Sequence, residues 1–307
     1  FMEVSSHGIS QKRIEGLNFI CGVFSNLSRD HLDYHKDFED YFLTKKKFFD
    51  MLNQDSIAIV NQDDSFSKPM IADNISKQKM YGLNESADYY GKVINNKLEG
   101  LHLLINGHEF RTQITGLFNV YNLLAIYAVA SELGVNKINL ISALSKLKSV
   151  PGRFNVVKSK KGVIGVIDYA HTPDALEKVF STIHNLRTKN QRVISILGCG
   201  GNRDPGKRPL MGRITYFNSD ISIFTSDNPR FENPSQIILD MESDIKIENS
   251  RKLFSVTNRE EAILKASFLA QKGDIILILG KGHEDYQEIE GKRYPFDDYQ
   301  VLTKFLK

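Results

Sequence analysis

From residue 162 onward the chain alternates short β-branched runs with stretches of helical period, and this constrains its fold more than any other feature. Residues 163–167, 193–197, 221–225 and 275–279 are apolar runs that read as strands, with 253–256 a weaker one. Residues 172–186 and 259–271 carry helical spacing. Strands separated by helices are joined in parallel, because a parallel neighbour needs a long crossover. The pattern therefore predicts α/β architecture with a doubly wound, Rossmann-like carboxyl-terminal domain. Upstream, residues 54–109 are rich in Asn, Asp, Ser and Gly, with strand-like runs at 57–60 and 101–105. Residues 121–133 are strongly apolar and read as a buried helix, and 137–147 as another. Val150-Pro151-Gly152-Arg153 punctuates the chain where the pattern changes. Two domains are expected, 1–150 and 151–307, since a single core stops growing near this length.

In a doubly wound sheet, ligands bind beyond the carboxyl ends of the strands. Each apolar run here leads straight into a polar loop. The first gives Asp168-Tyr169-Ala170-His171-Thr172-Pro173, the second Gly198-Cys199-Gly200-Gly201-Asn202-Arg203. The third gives Ser226-Asp227-Asn228-Pro229-Arg230, the last Gly280-Lys281-Gly282-His283-Glu284. Four such loops at one edge predict a ligand site. Gly198, Gly200 and Gly201 either let backbone N–H groups approach an anion or simply make a tight turn. Arg203 adds a planar cation. Thr172-Pro173 is a helix start, Thr as N-cap and Pro at the first helical position, so a helix N-terminus faces the same edge.

Residues 37–52 read as a helix capped by Asp37, with Phe38, Tyr41, Phe42, Phe48, Phe49 and Leu52 on one stripe. At 3.6 residues per turn Lys45 falls mid-stripe, Lys46 about a quarter-turn away and Lys47 nearly opposite. Lys45 either snorkels along the stripe or has its charge removed or used. Just upstream, His31, Asp33 and His35 alternate. That spacing fits a metal site on a strand or an ordinary surface pattern. Oxygen-rich surroundings would favour magnesium over zinc.

Composition excludes several classes. With 41% hydrophobic and 25% charged residues the chain is an ordinary globular one. Its longest apolar runs, 123–130 and 275–279, are too short to span a bilayer, so no membrane association is expected. The net charge of +3 gives no general field for nucleic acid. Two distant cysteines, Cys21 and Cys199, form no disulfide framework or CxxC motif, which fits a reducing cytoplasm. The chain opens on Phe1-Met2-Glu3-Val4-Ser5 with no signal peptide, and reads as the end of a strand cut in mid-domain, which predicts a further segment upstream.

Several separated motifs, taken in order, resemble the Mur ligase family, and its diaminopimelate-adding members above all. They are Glu3 to His7, Asn26 to His35, the Lys45 helix, Gly116 to Asn122, Pro151-Gly152-Arg153, Asp168 to Pro173, Gly198 to Pro209, Asp227 to Arg230 and Gly280 to Glu284. The resemblance implies the later part of a central ATP-binding domain followed by a domain that binds the incoming amino acid. It also implies an ATP-dependent acid–amino-acid ligase of peptidoglycan precursor synthesis. In such a ligase ATP phosphorylates the carboxylate of UDP-N-acetylmuramoyl-L-alanyl-D-glutamate, and the amine of meso-2,6-diaminopimelate then attacks the acyl phosphate. By position, Lys45 matches a lysine carried as a carbamate that helps hold Mg2+, and Glu3 and His31 match magnesium-site and catalytic residues. Ser5, Gln11 and Arg13 match contacts to the nucleotide-peptide. Asn122, Arg153 and Asp168 match ATP contacts, with Asn122 at the adenine. Arg203, Asp227, Asn228, Arg230, Gly280 and Glu284 match the amino-acid pocket. A monomer is expected.

One departure stands out. No GxxxxGK[ST] phosphate loop occurs, because Gly206-Lys207 precedes Arg208, Gly91-Lys92 precedes Val93 and Gly280-Lys281 precedes Gly282. The 307 residues by themselves are therefore expected to be inactive. The alternatives are a lysine-adding relative, a folylpolyglutamate or cyanophycin synthetase, or a non-catalytic module that keeps the amino-acid pocket.

Overall fold

The computed structural model describes residues 1–28, 34–246 and 252–307, which fall into two units, Phe1–Lys148 and Ser149–Lys307. The first unit is built on one six-stranded sheet in sequence order: β1 (Cys21–Phe24), β2 (Ile57–Asn61), β3 (Lys77–Gly82), β4 (Tyr89–Lys97), β5 (Gly100–Ile105) and β6 (His108–Thr112). β1 to β4 pair in parallel, and β4 to β6 form an antiparallel meander. The β5–β6 turn is Asn106-Gly107 with φ of 45° and 83°, the double positive φ that a two-residue hairpin of this twist needs.

Five helices belong to this unit: α1 (Ser6–Ser10), α2 (Phe38–Asp50), α3 (Ser67–Met70), α4 (Leu117–Glu132) and α5 (Lys137–Ser145). Ile59 on β2 joins Tyr81, Leu103, Ile105 and the α4 residues Leu123, Leu124 and Tyr127 in one core. Its neighbours Ala58 and Val60 join Phe24 and the α2 residues Tyr41, Phe48 and Phe49 in another. Successive strand residues face opposite sides, so α2 and α4 cover the two faces of the sheet. Asp37 caps α2 as its position suggests, accepting from the Asp40 amide.

The second unit carries β7 (Asn155–Lys158), β8 (Ile164–Asp168), β9 (Val193–Cys199), β10 (Ile221–Ser226), β11 (Leu253–Ser255) and β12 (Ile275–Leu279). Their order is β11-β10-β9-β12-β8-β7, parallel except for the edge strand β7. The expected doubly wound parallel sheet is thus present. β9 and β12 are buried along their whole length, as central parallel strands are. α6 (Pro173–Leu186), α7 (Lys207–Asn218) and α8 (Pro234–Glu242) lie side by side, α7 and α8 on β9 and β10. On the other face, α9 (Arg259–Leu269) and α10 (Asp298–Phe305) pack Ile263, Ala266 and Leu302 on Ile194, Ile196, Ile276 and Ile278. The hairpin β13 (Tyr286–Ile289) and β14 (Lys292–Pro295) turns at Glu290-Gly291, again with φ positive at both, 50° and 74°.

The position of β12 places the site. The chain steps outward from β9 to β11, then returns through α9 and inserts β12 between β9 and β8. Asp168, Cys199, Ser226 and Leu279 therefore end at one edge, and the four polar loops follow from it. Among the described residues no helix is long and apolar enough to cross a membrane.

Candidate active site

The loops after β10 and β12 meet around a buried lysine. Lys281 has no exposed side-chain surface. Its Nζ donates to Asn228 Oδ1 at 3.1 Å and to Glu284 Oε2 at 3.1 Å, and lies 3.6 Å from Asp227 Oδ1. Asn228 Nδ2 donates to Glu284 Oε2 at 2.7 Å. Asp227 is buried, and burial pushes its carboxyl above the ordinary Asp range, with the Lys281 charge opposing. Gly280 (φ 108°) closes this knot, since a β-carbon there would lie 2.8 Å from Asp227 Oδ2. The structure thus brings Asp227, Asn228, Gly280 and Glu284 together. Lys281, by sequence an ordinary loop residue, is their common partner.

Arg230 stands beside this group in the left-handed region, φ 52°. Two backbone bonds from the β13–β14 hairpin hold it there: its N–H donates to Glu288 O at 3.0 Å and its carbonyl accepts from Glu290 N at 2.7 Å. Its Nη1 donates to Gly201 O at 2.7 Å, and its Nε lies 3.6 Å from Glu288 Oε2. Gly201 in turn donates its N–H to Asn228 O at 2.9 Å. This amide is therefore spent between loops and is not offered to an anion, so at Gly201 the tight-turn reading holds. Arg203 is exposed on the same loop, its Cγ 3.6 Å from where a Gly200 β-carbon would sit.

Arg208, on α7, is a second residue that sequence reading passed over. It is buried and pairs with Glu232 at 2.9 Å and Asp240 at 2.8 Å. Glu232 also accepts from the Asn202 amide, so Arg208 ties the Gly200 loop to the segment carrying Arg230. Neither buried cation has a sequence signal, because a loop or helix-start Lys or Arg is ordinarily solvated.

The loop after β8 is fixed from within. Asp168 Oδ2 accepts from Phe154 N and Oδ1 from Ala170 N, both at 2.8 Å. Burial raises its pKa in spite of these bonds. Arg153 is exposed and stacks over the Tyr169 ring, 4.9 Å from its centroid. Gly152 (φ 71°) packs so closely that a β-carbon would meet His283 N at 2.0 Å, which joins this loop to the one after β12. Thr172 caps α6 through its Oγ1 and Pro173 opens the helix, as read from sequence.

In the first unit, Glu3 and Lys45 line one cleft of about 720 Å3 with Asn26, Phe48 and Phe49. Thr44, rather than Lys45, is buried with Tyr41, Phe48 and Phe49 on the α2 stripe; Lys45 is half-buried with its Nζ 5.3 Å from the Tyr41 ring centroid, whereas Lys47 is exposed. Lys46 pairs with Asp50 and Asp73 at 2.6 and 2.9 Å. Ser5 Oγ caps α1, accepting from Gly8 N at 3.0 Å. Gln11 and Arg13 are exposed and hydrogen-bonded to each other. Asn122 is exposed on α4 and donates to Asn119 Oδ1 at 3.0 Å.

The His-x-Asp-x-His reading is only partly within view, because His31 and Asp33 lie outside the described residues. His35 is buried in a turn, and both ring nitrogens have protein partners, Nδ1 with Asp40 Oδ2 at 3.2 Å and Nε2 with Ser6 Oγ at 2.9 Å. In this arrangement both ring nitrogens of His35 are taken up by protein groups. Among the described residues no group of three or more His, Cys, Asp or Glu is placed to hold an ion.

A doubly wound domain with a charged pocket at its switch edge, preceded by a mixed-sheet unit, defines the class. The chain belongs to the Mur ligase family: the Mur ligase middle domain matches residues 1–130, and the Mur ligase glutamate ligase domain matches residues 152–282. Over 304 residues it is 49% identical to the UDP-N-acetylmuramoyl-L-alanyl-D-glutamate–2,6-diaminopimelate ligase of Bacteroides thetaiotaomicron, covering 99% of this chain and 63% of the relative. The enzyme of that name from Aquifex aeolicus is 42% identical over 311 residues, covering 99% of this chain and 62% of its own length. A solved structure of a UDP-N-acetylmuramoyl-L-alanyl-D-glutamate–2,6-diaminopimelate ligase superposes with a TM-score of 0.63 at 38% identity, covering 99% of this chain and 63% of that one. The chain thus spans somewhat under two thirds of these relatives.

Proposed function

We propose that this chain is part of an ATP-dependent ligase that joins meso-2,6-diaminopimelate to the D-glutamyl carboxylate of UDP-N-acetylmuramoyl-L-alanyl-D-glutamate, in the cytoplasm. The observation that carries this reading is the charge pattern of one pocket. Arg230 and Arg203 flank Gly200, and Asp227, Asn228 and Glu284 gather around Lys281. An amino-acid end carrying both carboxylate and ammonium is complementary to that arrangement. The names of the similar relatives point the same way.

Within this reading Arg230 holds the distal carboxylate of the amino acid, and Glu284 accepts from the ammonium beside it. The pocket thereby fixes the attacking amine at the other end of the molecule, and such orientation supplies much of the rate in an amide-forming step. Arg153, Asp168 and Asn122 are the candidates for contacts to ATP, which supplies the phosphoryl group that activates the carboxylate. Ser5, Gln11 and Arg13 are the candidates for the nucleotide-peptide. Glu3, Lys45 as a carbamate, and His31 are the candidates for magnesium, whose charge would stabilise the phosphates. Arg230 also favours this reading over a lysine-adding enzyme, because lysine has no distal carboxylate to meet it.

The test is ligation by the full-length enzyme, followed as formation of the diaminopimelyl peptide with ADP and phosphate. The 307-residue chain is assayed beside it and is expected to turn over no ATP, since its sequence holds no GxxxxGK[ST] loop to bind the β- and γ-phosphates. Failure of the full-length enzyme to use diaminopimelate would sink the reading. Substrate-dependent ATP turnover by the chain alone would sink the expectation about the phosphate loop.

A further inference from the structure

Lys281 fixes more than charge. Asn228 Oδ1 accepts from Lys281 Nζ at 3.1 Å and from Glu288 N at 2.9 Å. An ammonium and an amide N–H can only donate, so the side-chain amide of Asn228 is locked with its oxygen toward them. Its Nδ2 then has to face Glu284, and it donates to Oε2 at 2.7 Å. Glu284 Oε2 also accepts from Lys281 at 3.1 Å. One oxygen of Glu284 is thus saturated, and among the described residues its Oε1 has no hydrogen-bond partner.

The local charge is uneven as well. Asp227 and Glu284 are two carboxylates, and Lys281 is the one cation within 4 Å of either among the described residues. A further buried cation, Arg259, is matched by Asp298, with Nε to Oδ1 at 2.8 Å and Nη2 to Oδ2 at 2.7 Å. With both acids ionised, the Asp227–Lys281–Glu284 group lacks one positive charge. A ligand ammonium at Glu284 Oε1 would supply it.

We propose that Lys281 is the positioning residue of this pocket, locking Asn228 and one oxygen of Glu284 so that the other oxygen receives the ammonium of the incoming amino acid. This rests on the reading of the pocket as the amino-acid site. Lys281 itself touches no substrate in this arrangement, and it acts through Asn228 and Glu284.

The experiment is steady-state kinetics of the full-length ligase with diaminopimelate, for wild type, Lys281→Met, Lys281→Gln, Glu284→Gln and the Lys281→Met/Glu284→Gln double variant. Lys281→Met is expected to raise KM for diaminopimelate by about 10-fold or more while KM for ATP moves less than about 2-fold, the pattern of a lost binding interaction. Effects that run through one shared group do not add, so the double variant should be within about 3-fold of Glu284→Gln alone. If Lys281→Met does not fold, Lys281→Gln, which keeps a donor and most of the volume, is held to the same KM criterion. An unchanged KM for diaminopimelate, or single losses that multiply in the double variant, would overturn the proposal. If wild type itself does not use diaminopimelate, the reading of the pocket falls, and that outcome is distinct from a wild type that does and a Lys281 variant that matches it.

Discussion

Arg230 donates from Nη1 to the carbonyl oxygen of Gly201 across 2.7 Å, and Gly201 has no room to yield. A β-carbon at Gly201 would lie 2.0 Å from Pro229 O, so even alanine must push the two loops apart. Gly201→Ala is expected to destabilise the second unit by about 1–3 kcal/mol, the usual cost of overpacking. It should also displace Arg230 and raise KM for the amino acid. Thermal unfolding of the chain and kinetics of the full-length enzyme check the two halves separately. An alanine variant with wild-type Tm and KM would mean that the loops are not packed as described.

The sequence made the second sheet legible because β8, β9, β10 and β12 are buried on both faces and so read as unbroken apolar runs. The helix starts at Asp37 and Thr172 were legible because capping chemistry is local. α7 and α8 were not. α7 contains Pro209 and Gly212, and its apolar spacing is broken where Gly212 lets α8 approach, a β-carbon there falling 1.9 Å from Met241 O. The four polar loops could be placed at one edge from strand order alone, yet their internal wiring could not. Burial of Lys281 and Arg208 depends on side chains distant in the chain, Asn228 at 53 residues from Lys281 and Asp240 at 32 from Arg208. Such pairings come from tertiary packing, to which local pattern is blind.

Lys45 and Lys47 differ by two positions and by their surroundings. Lys45 lines the cleft with Glu3, and Lys47 is exposed. In the full-length enzyme Lys45→Ala is expected to lower kcat by about 100-fold or more, the scale on which lost positioning acts, and Lys47→Ala by less than about 2-fold. If Lys45 works as a carbamate, a small carboxylic acid added to the Lys45→Ala enzyme restores part of the activity by replacing the lost carboxylate. Equal activities of the two variants would reject the assignment of Lys45. A dead Lys45→Ala enzyme without rescue would leave the carbamate without support.

Acid should loosen the second unit through Asp240. Side-chain hydrogen bonds from Gln236 and Arg208 hold its carboxyl below the ordinary value of 3.8. A carboxyl whose folded pKa is depressed contributes stability above the unfolded value and loses it as pH falls through the folded one. The contribution is therefore complete at neutral pH, starts to fall near about pH 4, the unfolded Asp range, and is lost as pH drops through the lower folded value. Asp240→Asn should be less stable than wild type at pH 7, and the gap should narrow at pH 3. Denaturant unfolding of the chain at both pH values measures it, and a gap that is constant or widens toward acid contradicts the ion-pair role of Asp240 with Arg208.

Arg230 should select diaminopimelate over lysine. The two amino acids share the chain length and the attacking amine, and differ in the distal carboxylate. Arg230 can hold that group through guanidinium N–H donors not spent on Gly201. With lysine bound, the guanidinium would be desolvated beside an aliphatic end with less to bind. Leaving a buried charge without its main partner costs about 2–5 kcal/mol in interfaces. Here the cost is smaller, because Gly201 O and Glu288 at 3.6 Å remain and the side chain keeps 20% exposure. Discrimination of about 10- to 100-fold, or about 1.4–2.7 kcal/mol, is the expected share of Arg230. The measurement is kcat/KM for both amino acids in the full-length enzyme, before and after Arg230→Ala. The variant should lose diaminopimelate activity by that factor while its lysine activity, already low, changes little. The ratio between substrates would then collapse toward one. A ratio that survives Arg230→Ala would place substrate choice elsewhere in the pocket, and a wild type that uses lysine equally well would refute the diaminopimelate assignment itself.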